Sequence, residues 1–135
     1  MERFIGKYSP YLYALLRITS GLMFAMHGSQ KLFGQPGNRP PMDLPPLLKV
    51  AGVIELVAGL MIALGLLAGY AAFIASGQMA VAFFKQHFKT EAPLPILNGG
   101  EPAVLYCFLY LYIASVGSGI WSLDQLIHRP KSGAG

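Results

Sequence analysis

The stretch from Leu47 to Phe88 constrains the fold more than any other feature of this sequence. It runs for 42 residues, 47 to 88, and is almost wholly apolar. As one α-helix it would be ~63 Å long at ~1.5 Å per residue, about twice the ~30 Å hydrocarbon thickness of a bilayer. The chain must therefore fold back, and the turn is predicted at 65–70, between helices near 47–67 and 70–88.

The composition indicates a membrane protein. Of the 135 residues, 54% are hydrophobic and only 12% are charged, against about 25% charged in an ordinary soluble domain. The stretches 56–84 and 102–123 carry no charge at all. The net charge of +4 comes from cations near the ends of apolar runs rather than from long basic blocks, so a nucleic-acid partner is not expected.

Two further apolar segments complete the pattern. One covers 11–33 and is interrupted only by Arg17, and the other covers 101–123. Stretches rich in Pro and Gly at 35–46 and 90–100 separate the segments. We therefore predict a single domain, 1–135, of the all-α membrane class: an antiparallel bundle of four transmembrane helices at about 11–33, 47–67, 70–88 and 101–123. Both termini would then lie on one side of the membrane.

The distribution of positive charge does not decide the orientation. The terminal side carries Arg3, Lys7, Arg129 and Lys131, and the opposite loops carry Lys31, Arg39, Lys49, Lys85 and Lys89. The first apolar segment is longer than a usual signal core and lacks a clear cleavage pattern, so it is expected to be a retained helix. On that ground we expect a multi-pass inner-membrane protein with cytoplasmic termini.

Few catalytic signatures are present. Cys107 is the single cysteine, so one chain cannot run a dithiol/disulfide cycle or build a Cys-rich metal site. The sequence contains no zinc, P-loop, nucleophile-elbow or dinucleotide motif, and no metal or built-in cofactor is expected. His27 and His87 would lie at similar depth, where two imidazoles could ligate a haem or metal, although a solvated histidine is the ordinary interpretation of His87.

Polar residues at membrane depth are the sharpest functional signal. A charge at the bilayer centre costs about 2.5–3.5 kcal/mol even on insertion scales, so Arg17 and Glu55 need partners. Helix positions place His27 within about 3 Å of the depth of Glu55, and Gln78 near the midplane. We predict a buried cluster of Arg17, His27, Glu55 and Gln78 that binds a ligand or carries protons. The alternative is that these groups bond only to each other and set the helix register.

Several short motifs, in order along the chain, resemble the DoxX family of small four-helix bacterial membrane proteins. They are His27-Gly28 with Lys31-Leu32-Phe33-Gly34, then Gly52, Glu55 and Gly59, then Asn98-Gly99-Gly100-Glu101, and finally Gly117 to Asp124 with Trp121. The family residues carried over are Gly28, Lys31, Asn98, Gly99, Gly100, Glu101, Trp121 and Asp124. From the residues themselves, Asn98 and Glu101 are expected to cap the last helix.

The resemblance implies a role beside redox enzymes rather than a defined reaction. Relatives include the small membrane subunit of a thiosulfate:quinone oxidoreductase and partners in oxidative-stress complexes. We therefore expect a subunit or accessory of a quinone-linked oxidoreductase or of an oxidative-stress complex, with quinone as its ligand. The expected partners are the lipid bilayer, redox proteins and further copies of this chain. The alternative is a non-catalytic membrane scaffold or assembly factor, and whether the chain is itself an enzyme is left open.

Overall fold

The computed structural model describes residues 1–38 and 43–129, and within them the protein is all-α. Its helices are α1 (Glu2–Ile5), α2 (Ser9–Phe33), α3 (Pro46–Leu64), α4 (Ala68–Ala82), α5 (Pro95–Asn98), α6 (Glu101–Val116) and α7 (Leu123–Ile127). A 3₁₀ turn, Gly6–Tyr8, leads into α2, and a π-helical segment, Phe83–His87, extends α4. The predicted all-α class is thus confirmed. Arg39 and Lys131, counted above for orientation, lie outside the described residues.

Proline and glycine determine where the long helices begin and end. Helices α2, α3 and α6 each have a proline in the first turn, where the missing N–H is not needed. Helices α2 and α3 both end at a left-handed glycine, Gly34 and Gly65. The α3–α4 turn therefore lies within the predicted 65–70 stretch, and Leu67, at φ 47°, completes it.

The last long helix is shorter than the predicted 101–123 segment. Helix α6 ends at Val116, and Gly117 and Gly119 follow with φ of 87° and 66°. These backbone conformations are readily adopted only by glycine, so the helix cannot continue through them. Residues 117–122, hereafter the closing segment, instead turn back toward the α3–α4 turn and lead into α7.

Glycines allow α2 and α3 to pack with their backbones in close contact. A Cβ added to Gly59 would lie 2.5 Å from the Ala25 amide nitrogen, and one added to Gly21 would lie 2.5 Å from that of Ala63. Gly28 is opposed by Gly52 in the same way. Early residues of α2 thus face late residues of α3, so the two helices are antiparallel. At helical spacing, Gly21, Gly28 and Lys31 fall on one face of α2, and Gly52, Glu55 and Gly59 on one face of α3. These two glycine-lined faces meet.

Helices α4 and α6 also pack through small residues. Ala71, Ala72 and Ala75 are buried in the shared interior, and the Ser76 hydroxyl donates to the Cys107 carbonyl at 2.7 Å. The buried Tyr110 hydroxyl donates to the Ser20 carbonyl at 2.9 Å, which ties α6 to α2. The interior therefore combines small side chains of α4 with large buried ones, Phe24, Ile62, Tyr110 and Ile113, and with specific hydrogen bonds.

Large apolar side chains lie on the outside of the protein. Leu105, Phe108 and Phe73 are 70%, 66% and 65% exposed, whereas the charged Arg17 and Glu55 are 0% and 1% exposed. In the described part of the chain, α3 is the helix long and apolar enough to cross a bilayer, and α6 is apolar but shorter. An apolar exterior around buried charges is typical of a protein surrounded by lipid.

Candidate functional site

A cavity of about 380 Å³ lies between α2, α3, α4 and the start of α6. Its size falls within the ~300–1,000 Å³ range of small-molecule pockets. The walls are mainly apolar and aromatic, and Phe24, Ile54, Met79 and Tyr106 contribute to them. Glu55 and Gln78 also line it, so the cavity combines an apolar wall with a small polar group.

Glu55 is the centre of that polar group. The Lys31 ammonium lies 2.5 Å from Glu55 Oε1, and the Gln78 amide nitrogen donates to the same oxygen at 2.9 Å. One carboxylate oxygen therefore joins α2, α3 and α4. The side chain of Glu55 is 2% exposed and that of Lys31 is 32% exposed, so the ion pair runs from the interior toward the surface.

Two buried acceptor atoms of this group have no hydrogen-bond partner within residues 1–38 and 43–129. They are Glu55 Oε2 and Gln78 Oε1. The amide orientation of Gln78 follows from its neighbours: its nitrogen faces Glu55 Oε1 and, at 3.4 Å, the Ala51 carbonyl, and both of these accept hydrogen bonds. A buried acceptor without a partner costs about 1–3 kcal/mol, so a donor in the cavity would stabilise the site.

The two histidines of the sequence analysis both line this cavity. The ring of His27 stands edge-on to Tyr106, with centroids 6.4 Å apart, and His87 Nδ1 lies 3.3 Å from the Asn98 carbonyl. The described residues contain no group of three or more His, Cys, Asp or Glu side chains that could hold a metal ion. The hydrogen bonds of Glu55 go to Lys31 and Gln78 rather than to His27.

Arg17 lies apart from the cavity. Its Nη1 donates to the Ile62 carbonyl at 3.2 Å, and Nη2 donates to the carbonyls of Trp121 at 2.7 Å and Ile120 at 3.3 Å. Ile62 belongs to the last turn of α3, where the helix dipole favours a cation. The structure thus joins Glu55 with Gln78 but separates Arg17 from them, and Arg17 holds the closing segment against α3.

Asp124 secures the same end of the protein. Its carboxylate accepts from the Leu67 amide at 2.9 Å and from the Ser118 hydroxyl at 2.5 Å. Its own amide donates to the Gly65 carbonyl at 3.1 Å. Trp121, at φ 53°, supplies the carbonyl nearest to Arg17. Asp124 therefore joins α7 to the α3–α4 turn, and Trp121 joins the closing segment to Arg17 of α2.

The Asn98–Glu101 motif forms a turn rather than the predicted cap. Asn98 Oδ1 accepts from the Gly100 amide at 2.9 Å, but no side chain caps α6, whose N-cap residue is Gly100. The cap expectation for Asn98 is wrong because Gly99, at φ 72°, turns the chain before the helix begins. Glu101 does lie in the first turn of α6, near the positive end of the helix dipole.

Sequence reasoning missed the pairing of Lys31 with Glu55. Lys31 had been placed on the same α2 face as Gly28, and Glu55 on the same α3 face as Gly52. The Cβ of Lys31 lies beside Gly52, and the long lysine side chain extends one turn along α3, so that its ammonium reaches Glu55. The signal was the shared spacing of glycine and charge on two antiparallel helices.

We expect acid to remove a stabilising contribution of Asp124. Hydrogen bonds from the Ser118 hydroxyl and the Leu67 amide hold the pKa of the Asp124 carboxyl below its ordinary value of 3.8. A carboxyl whose pKa is lower in the folded state than in the unfolded state stabilises the fold at pH values above its unfolded-state pKa. That contribution is lost as the pH falls through the folded-state pKa. The thermal midpoint of wild type should therefore exceed that of Asp124→Asn at pH 6, and the gap should narrow below about pH 4.

Glu2→Gln, in the exposed helix α1, serves as the control for this measurement. It should follow wild type at every pH. A gap between wild type and Asp124→Asn that stays constant from pH 6 to pH 3 would contradict the expected titration.

The fold and site together define a helical membrane protein with a polar group inside an apolar cavity. A sequence model of the DoxX family matches residues 12–88, and the chain belongs to that family. The matched region includes Lys31, Glu55 and Gln78 but ends before the Asn98–Glu101 motif. The chain is also 45% identical over 128 residues to an uncharacterized protein of Haemophilus influenzae, covering 90% of this chain and 94% of that protein. No solved structure matches the chain.

Proposed function

We propose that the chain is an inner-membrane subunit that holds a quinone-type ligand beside Glu55 for a redox partner protein. The observation that carries the proposal is the pair of buried acceptors without a partner among the described residues, Glu55 Oε2 and Gln78 Oε1, on two residues that line a mainly apolar cavity. A quinone-type ring is flat and apolar and carries oxygen substituents at its edge. Phe24 and Tyr106 supply aromatic surface for such a ring, and the polar group supplies contacts for an oxygen substituent.

The proposal includes four membrane crossings, by α2, α3, α4 with its π-helical extension, and α6, arranged as an antiparallel bundle. Residues 68–87 would span about 30 Å, enough for the hydrocarbon layer, and α6 about 24 Å. Support comes from the short α3–α4 turn and from the exposed apolar side chains on these helices. Both termini are then on the same side, which we assign to the cytoplasm.

Reporter fusions test the crossings. Fusions after Asn38 and Leu94 should report the periplasm, and a fusion after Leu67 should report the cytoplasm. Each position follows a proposed crossing, so the side alternates. Disagreement between the Asn38 and Leu94 fusions would contradict the four-crossing arrangement.

Ligand retention tests the binding role. The full chain, purified from bacterial membranes in mild detergent, should carry quinone in amounts approaching one per chain, detected by organic extraction and mass spectrometry. Glu55→Leu removes the carboxylate and should lose the quinone. Ser115→Ala alters an exposed hydroxyl of α6 that bonds only to the Tyr112 carbonyl and should retain it. Equal quinone content in all three proteins would show that the quinone is carried by lipid in the detergent micelle, and this would contradict the proposal.

The second candidate function is a non-catalytic scaffold. It is favoured by Glu55 Oε1, which joins three helices through Lys31 and Gln78 and so could serve only to set their register. A scaffold would need the shape of this group but not its charge, and the Glu55 variants discussed below separate the two functions.

A further inference from the structure

We infer that the cavity selects the reduced, hydroquinone form of its ligand over the oxidised quinone, an inference that rests on the proposed function. The two buried atoms of this cavity's residues that have no partner in the described chain, Glu55 Oε2 and Gln78 Oε1, are both hydrogen-bond acceptors. A hydroquinone presents hydroxyl donors, whereas a quinone presents only carbonyl acceptors. At Glu55 and Gln78 the geometry therefore complements the hydroxyl of the reduced form and offers no matching donor to a quinone carbonyl.

The neighbouring groups keep the two atoms as acceptors. Glu55 is ion-paired with Lys31, and an ionised carboxylate only accepts hydrogen bonds. Gln78 cannot present its nitrogen to the cavity without placing its oxygen against Glu55 Oε1 and the Ala51 carbonyl. The Lys31 ammonium is already bonded to Glu55 Oε1, and the two lining histidines, His27 and His87, make no hydrogen bond to Glu55 or Gln78 among the described residues. A quinone carbonyl would thus approach acceptors on this side of the cavity.

The size of the preference follows from one hydrogen bond. A hydrogen bond to a charged group contributes about 1.5–3 kcal/mol, which corresponds to roughly 10- to 100-fold in Kd. The hydroquinone should therefore bind at least about 10-fold more tightly than the quinone of the same ring and tail. Because binding favours the reduced form, the bound couple is easier to reduce than the free couple.

The test compares three ligands of one shape on the wild-type chain in nanodiscs, under anaerobic conditions. They are a short-chain benzoquinone, its hydroquinone and the dimethyl ether of that hydroquinone, which has the same ring but no hydroxyl donor. Binding is measured as ligand depletion relative to empty nanodiscs. The hydroquinone should bind at least about tenfold more tightly than either of the others.

The possible outcomes separate this inference from the proposed function. Equal or tighter binding of the quinone would overturn the redox selectivity and leave the proposed function standing. Equal binding of the hydroquinone and its dimethyl ether would overturn the donor argument. Binding of none of the three would overturn both the inference and the proposed function. In Glu55→Gln, whose amide can donate into the cavity, the ratio of the quinone Kd to the hydroquinone Kd should fall toward one. If this variant does not fold, the comparison of the three ligands on the wild-type chain decides between the outcomes.

Discussion

Replacing Arg17 by leucine should clearly reduce the amount of folded protein. The substitution removes the guanidinium donor from the carbonyls of Ile62, Ile120 and Trp121. The Ile62 carbonyl keeps the Gly65 amide as a donor. The part-buried carbonyls of Ile120 and Trp121, in contrast, lie in the non-helical closing segment, where no helical hydrogen bond replaces Arg17. We expect a loss of about 1–3 kcal/mol, a sizeable part of the usual 5–15 kcal/mol total.

The measurement is the yield of monodisperse protein in detergent together with its thermal midpoint. Arg17→Lys should be intermediate, because an ammonium cannot span the separate carbonyls that the planar guanidinium reaches through Nη1 and Nη2. Arg3→Leu removes an exposed arginine of α1 and should match wild type. If Arg17→Leu kept the wild-type yield and midpoint, the closing segment would be held by other contacts and this interpretation would be wrong.

Replacing Glu55 by glutamine should leave the protein folded but remove its ligand. Glutamine has nearly the shape of glutamate and can still accept from Gln78, so the helices keep their packing. It lacks the charge that pairs with Lys31 and that strengthens a hydrogen bond from a ligand hydroxyl. We expect yield close to wild type and ligand affinity lower by about 10- to 100-fold, the value of one hydrogen bond to a charged group.

Two companion variants complete this experiment. Glu55→Leu removes both hydrogen-bonding oxygens, leaves Lys31 and Gln78 without their shared partner, and should lower the yield as well as the affinity. Glu101→Gln makes the same chemical change as Glu55→Gln at an exposed position in the first turn of α6 and should behave as wild type. A normally abundant Glu55→Gln protein with wild-type ligand content and cellular function would favour the scaffold function over the proposed one.

The two ends of the protein have different roles in this account. At one end, Lys31, Glu55 and Gln78 border a cavity and leave two acceptors unpaired. At the other end, Arg17 and Asp124 are used in hydrogen bonds to the backbone of the closing segment and of the α3–α4 turn. Substitutions at the first end should therefore change binding, and those at the second should change stability.

Local sequence determined much of the fold. The apolar stretch of 47–88 is too long to cross a bilayer once, so a turn near Gly65 followed from length alone. The glycines of α2 and α3, spaced along one face of each helix, predicted the close contact that Gly21, Gly28 and Gly59 make. Helical rise also placed Glu55 and Gln78 at similar depth, and their side chains are hydrogen-bonded. Each of these inferences depends on spacing along the chain, which a sequence displays directly.

Tertiary structure alone decided the role of Arg17 and the path of the last segment. The partners of Arg17 are backbone carbonyls, which every residue possesses, so no side-chain pattern could indicate them. Gly117 and Gly119 could have been tolerated within a helix, and only their positive φ shows that the chain turns back there. The pairing of Lys31 with Glu55 likewise required the register in which α2 packs against α3. Such contacts depend on how separate elements meet in space, and local propensity carries no record of that.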